Sequence, residues 1–90
     1  MSDQETFRLS VEEAEYVSKL MSEDELFAAL LRGHSDIRVT GRIVIADRTH
    51  AQILRDYFTE RLARVGFDAD YKPNKEGVIL EELIDTLFLP

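Results

Sequence analysis

The sequence predicts a single small α+β domain, with about four helices packed on a two- or three-stranded sheet in the order α-α-β(β)-α-β-α. Three observations predict it. Four segments carry apolar residues at helical spacing. Between the second and third of them lies a run rich in β-branched residues, Ile37, Val39, Ile43, Val44 and Ile45, which favours extended backbone. Ninety residues make one domain, and 44% of them are hydrophobic. A chain of this size hides roughly 60% of its unfolded surface on folding, and that composition fills a core.

Residues 1–9 read as a flexible lead-in and residues 10–90 as the domain. The first helix opens with a capping box, in which Ser10 bonds the amide of Glu13 and Glu13 reaches back. Val11, Ala14, Val17 and Leu20 or Met21 share its apolar face. A second box, Ser22 to Glu25, restarts the pattern, with Leu26, Phe27, Leu30 and Leu31 as apolar positions and Gly33 as the stop. Two short helices fit better than one long one, although Ser22 is a weak breaker and fusion stays open. Thr40-Gly41 divides the β-branched run by a tight turn or a bulge, giving either a short hairpin or one bent strand.

Asp47 or Thr49 caps the third helix, Thr49 making a third box with Gln52, and Gly66 closes it as a left-handed cap. Phe67, Ala69 and Tyr71 then alternate with Asp68, Asp70 and Lys72, the period-two pattern of a strand, until Pro73 stops it. Asn74 caps the last helix. Its Ile79, Leu80, Leu83, Ile84, Leu87 and Phe88 cover about half the circumference, at about 100° per residue. Gly77 lies in the first turn, where glycine costs about 1 kcal/mol against alanine. Its presence there predicts close approach by a neighbouring segment.

The net charge is −7, and it is unevenly spread. Residues 1–36 carry −6, residues 37–66 carry +3 from arginine alone, and residues 67–90 carry −4. A field of this sign repels nucleic acid and anionic membranes, so a nucleic-acid binder using Arg38, Arg42, Arg48 and Arg55 is disfavoured. Cysteine is absent, which excludes disulfides and thiolate metal sites and suits a reducing compartment. The polar, acidic start does not have the pattern of a signal peptide. No apolar run approaches the roughly 18 residues of a membrane span. A cytoplasmic protein is expected.

Chemistry-bearing residues are few. On the third helix His50, Tyr57 and Arg61 fall within the apolar arc formed by Ala51, Leu54, Phe58, Leu62 and Val65. Each has a packing explanation. Histidine in a first turn is near water, arginine lays its stem on the core with its head outward, and a buried phenol needs one partner. Arg61 would then pair with an acid such as Asp68 or Asp85. The same three residues could instead line a groove for a carboxylate or phosphate. His34 and His50 stand far apart without ligand spacing, so no metal site is expected. No nucleophile–base set, phosphate loop or dinucleotide fingerprint is present, so neither catalytic residues nor a cofactor are expected.

Acid clusters in the first turns of two helices complement the helix dipole. Glu81 and Asp85 lie mid-helix, where the dipole offers nothing, and form a candidate docking strip for a basic partner. Phe88 and Leu89 add apolar surface at the end of that helix, for the partner or for a second copy of the chain. The expected function is a non-enzymatic protein–protein interaction module, such as an inhibitor or immunity-type partner of a basic protein. The alternative is an anionic-ligand sensor built on the His50, Tyr57 and Arg61 groove.

Overall fold

A computed structural model describes residues 4–34 and 36–88. It shows a small α+β domain of four helices and a three-stranded antiparallel sheet. The elements are β1 (Glu5–Arg8), α1 (Val11–Glu23), α2 (Glu25–Gly33), β2 (Arg38–Thr40), β3 (Ile43–Ala46), α3 (Arg48–Val65) and α4 (Lys75–Thr86). The strand order is β1-β3-β2.

The β-branched run folds as a hairpin. β2 pairs with β3 in the register Val39 opposite Val44, and Gly41 takes a left-handed φ of 57° in the two-residue turn. Glycine adopts that angle without the clash a Cβ would bring. The third strand comes from the expected lead-in, which is a correction to the sequence reading. Residues 5–8 pair with β3, Phe7 opposite Val44, and the Leu9 amide and Arg42 carbonyl extend the ladder at 2.7 Å. The pairing is long-range, so local pattern did not reveal it. What holds it is burial: Phe7 and Leu9 both enter the core.

The second strand expected, at Phe67–Tyr71, is a tight turn instead. The Asp68 carboxylate accepts from the amides of Asp70 and Lys72 at 2.9 and 3.1 Å, replacing ladder bonds with local ones. Tyr71 adopts a φ of 60° and is 89% exposed, so the alternation has nothing to bury against. Only Phe67 and Pro73 keep a bridge.

Helix starts follow their caps. Ser10 and Glu13 form the expected capping box, and the second oxygen of buried Glu13 accepts from the Thr86 hydroxyl at 2.8 Å, tying α1 to the end of α4. α2 is capped by Asp24, whose carboxylate takes the amides of Leu26 and Phe27, rather than by Ser22. α3 is capped by Asp47 and not by Thr49, and α4 by Asn74. Gly66 is right-handed, with φ −84°. Its purpose is proximity: a Cβ on Gly77 would sit 2.0 Å from the Gly66 carbonyl oxygen. Only glycine lets the start of α4 lie this close to the end of α3.

The helices cover one face of the sheet. Phe7, Leu9, Val44 and Ala46 meet Tyr16, Val17 and Leu20 of α1, Phe27 of α2, Ala51, Leu54 and Phe58 of α3, and Leu80, Leu83 and Leu87 in and beyond α4 in one core. The rings of Phe27 and Phe58 lie 5.7 Å apart within it. The register places Thr6, Arg8, Arg38, Thr40, Ile43 and Ile45 on the other, uncovered face.

Candidate functional site

α3 carries the three residues of the expected groove, and the structure divides them. Tyr57 and Arg61 are one turn apart and face the junction of α1, α2 and α4. His50, in the first turn, faces the loop that leads into β2.

At the first place Arg61 is surrounded. Its Nε donates to the Tyr16 hydroxyl at 2.8 Å and to Glu76 at 3.2 Å, Nη1 meets Asp24 at 3.2 Å, and Nη2 meets Glu76 at 3.1 Å. Tyr16 donates to Glu76 and Tyr57 donates to Asp24. Asp24 serves twice, one oxygen capping α2 and the other receiving Tyr57 and Arg61. The partners come from α1, the α1–α2 junction and the first turn of α4. Neither Asp68 nor Asp85, the acids suggested by the sequence, takes part.

The electrostatics follow from this packing. Burial pushes the Tyr16 phenol well above the usual tyrosine range, and its hydrogen bond to Glu76 pushes the same way. Burial, with the Asp24 bond, raises Tyr57 to about 12. The bond from Tyr57 holds Asp24 below its ordinary value against the cost of desolvation, helped by the Phe27 and Leu26 amides and by Arg61. Burial works against the charge on Arg61, but Tyr16, Tyr57 and Glu76 outweigh it and keep the guanidinium protonated. All three guanidinium nitrogens have partners, so the cluster latches α3 to α1, to the α1–α2 junction and to α4.

At the second place groups converge without closing. Asp47 Oδ1 caps α3 through the His50 amide at 2.8 Å and also contacts His50 Nδ1 at 2.7 Å. Asp36 Oδ2 lies 3.9 Å from the same ring nitrogen. The rings of His34 and His50 meet edge to face, with centroids 4.9 Å apart. A bond from the Ile37 amide to the His34 carbonyl, 3.0 Å, closes the turn that carries His34 and Asp36, and buried Ile37 anchors it. The amide of His50, ahead of its side chain, holds Asp47 below the ordinary carboxyl range. One ligand atom each from Asp36, Asp47 and His50 lie within 4.8 Å of one another. Their separation in sequence hid this grouping; the one available signal was that His50 and a capping Asp47 share the first turn of a helix.

The third feature is the outer face of α4. Val78, Glu81, Glu82 and Asp85 follow one another at helical spacing and are exposed. Among the described residues none of the three acids pairs with a cation. Phe88 continues the stripe at 56% exposure, with the Arg55 guanidinium 4.9 Å above its ring. Leu89 lies outside the described residues. The arginines of the disfavoured nucleic-acid reading are split between sites. Arg38 bonds Gln4 and Arg42 bonds the Leu9 carbonyl at the sheet, whereas Arg55 contacts Gln52 and Phe88. Among the described residues no helix is long and apolar enough to cross a membrane.

No known protein family matches this chain, and comparison with curated proteins and with solved structures found no match.

Proposed function

We propose that this protein is a non-enzymatic protein–protein interaction module of the cytoplasm, whose partner is a basic protein. The observation that carries the reading is the α4 stripe, where Glu81, Glu82 and Asp85 stand exposed between Val78 and Phe88 with no paired cation among the described residues. Unpaired acids of one sign speed encounter with a basic surface and fix its register. The apolar residues at either end supply contacts that persist once water is expelled.

An inhibitor or immunity-type partner of a basic toxin or nuclease is the concrete form of this reading. A symmetric dimer through the same face would bring like charges together, so the reading commits to a basic partner. The anionic-ligand alternative is weaker on geometry, because a ligand would have to displace Asp24 and Glu76 from Arg61.

The test is affinity capture with the wild-type chain and with an E81K/D85K variant, followed by titration of whatever partner is retained. The reading expects a basic partner whose affinity falls on the order of tenfold or more on charge reversal and declines steeply with salt. Equal binding by both proteins, or no retained partner at low salt, overturns it.

A further inference from the structure

We propose that Asp36, Asp47 and His50, with His34 beside them, bind a divalent first-row transition ion of the zinc type. The site is independent of the α4 stripe, so either assignment can fail without the other.

The geometry makes the case. Three side chains from the loop before β2, the cap of α3 and its first turn bring one ligand atom each within 4.8 Å of one another. Metal–ligand bonds of about 2.0–2.1 Å set tetrahedral ligand edges of roughly 3.3 Å. The Asp36 edge to His50 Nδ1 is 3.9 Å and the Asp47 edge is 2.7 Å. One must shorten and the other lengthen, each by less than an ångström, and the ion takes the place of the proton shared by His50 Nδ1 and Asp47 Oδ1, which is released to solvent. Asp36, with a side chain 54% exposed, has room to close inward, while His50 at 17% is held by its surroundings.

The donor chemistry selects the ion. Imidazole suits zinc, nickel, copper and iron, and carboxylates complete such sets, whereas calcium and magnesium prefer oxygen alone. Three protein ligands leave a position for water or for the second imidazole, since the His34 ring lies 4.9 Å from that of His50.

The local charge also favours a cation. The N-terminus of α3 carries about half a positive charge, but two carboxylates face the site. The His50 amide already donates to Asp47.

The experiment is calorimetric titration of the metal-free protein with Zn²⁺ alone, repeated with Co²⁺ to read its ligand-field absorption. The wild type is expected to bind one ion per chain and to melt at a higher temperature with it. Asp36→Asn and His50→Gln are expected to lower affinity on the order of tenfold or more while circular dichroism stays native. Asp36→Asn is the decisive variant, since Asp36 is exposed and caps no helix. No Zn²⁺ binding below millimolar concentration by the wild type, or wild-type affinity in both variants, overturns the proposal.

Discussion

The two ends of α3 bear the same kind of misfit, a polar residue on an apolar face, and resolve it in opposite ways. Toward the C-terminal end Arg61 is ringed by two carboxylates and a phenol, and every guanidinium nitrogen has a partner. At the N-terminal end His50 meets Asp47, Asp36 and His34, a set with more donor atoms than internal bonds to use them. A charge enclosed by matched partners is a fastener. A cluster in which His50 and Asp47 bond each other while Asp36 stands open beside them has room to receive a ligand. Sequence position on a helical wheel does not separate the two; the partners do.

The largest test of this contrast falls on the contact that lets the closed end form. Gly77→Ala places a methyl carbon 2.0 Å from the Gly66 carbonyl oxygen. That pushes α4 away from α3 and pulls Glu76 from Arg61. The overpacking cost, about 3 kcal/mol, exceeds the roughly 1 kcal/mol of better helix propensity, and urea denaturation should show the loss. Arg61→Met removes the cation and leaves Asp24 and Glu76 facing two tyrosines. The site is partly exposed, so the expected loss is about 2 kcal/mol, less than for a fully buried pair, with Zn²⁺ affinity unchanged.

Next comes Asp47→Ala, which removes the cap of α3, lowers the urea midpoint by less than Arg61→Met does, and should abolish metal binding as well. His50→Gln completes the series with at most about 0.5 kcal/mol of lost stability and a large loss of Zn²⁺ affinity. Should Arg61→Met weaken the metal, or His50→Gln unfold the protein, the division of α3 into a fastened end and a receptive end fails.

Proton linkage gives the Arg61 end a signature of its own. Tyr57 holds its proton more tightly when folded, at about 12. Its contribution is therefore complete below the ordinary phenol value near 10 and is lost as pH rises from there toward 12. Asp24 is depressed below 3.8 when folded. Its contribution stands above that pH and disappears as the solution becomes more acidic. Denaturation midpoints across both ranges, compared between wild type and Tyr57→Phe, should show a smaller alkaline fall in the variant, where Tyr16 alone still contributes.

Much of the domain was legible residue by residue. Ser10 with Glu13 announced α1, the paired apolar arcs announced α3 and α4, Asn74 announced the start of α4, and Gly77 announced a close approach. What local pattern could not show was pairing across the chain. β1 is four residues long and exists because β3 has an edge to fill. Asp24 hid inside a run where Ser22 looked like the cap, and the real cap turns α2 so that Leu26 is 72% exposed while Phe27 is buried. The alternation at 67–72 misled because an aspartate at its second position closes a turn on itself before any partner strand is reached. The latch around Arg61 and the grouping of Asp36 with His50 belong to the same class. Each needs side chains that only the finished packing brings together.

The strand order carries a consequence for how the chain assembles. The β2–β3 hairpin is local, whereas the other side of β3 is covered by β1, a strand distant from it in sequence. Until Glu5–Arg8 docks, Ile43, Val44 and Ile45 offer a bare, β-branched rim to any neighbouring molecule, the feature that seeds intermolecular pairing. Trimming those first residues would therefore turn a monomer-sized fold into a self-sticking one, with aggregation rather than simple unfolding as the visible defect.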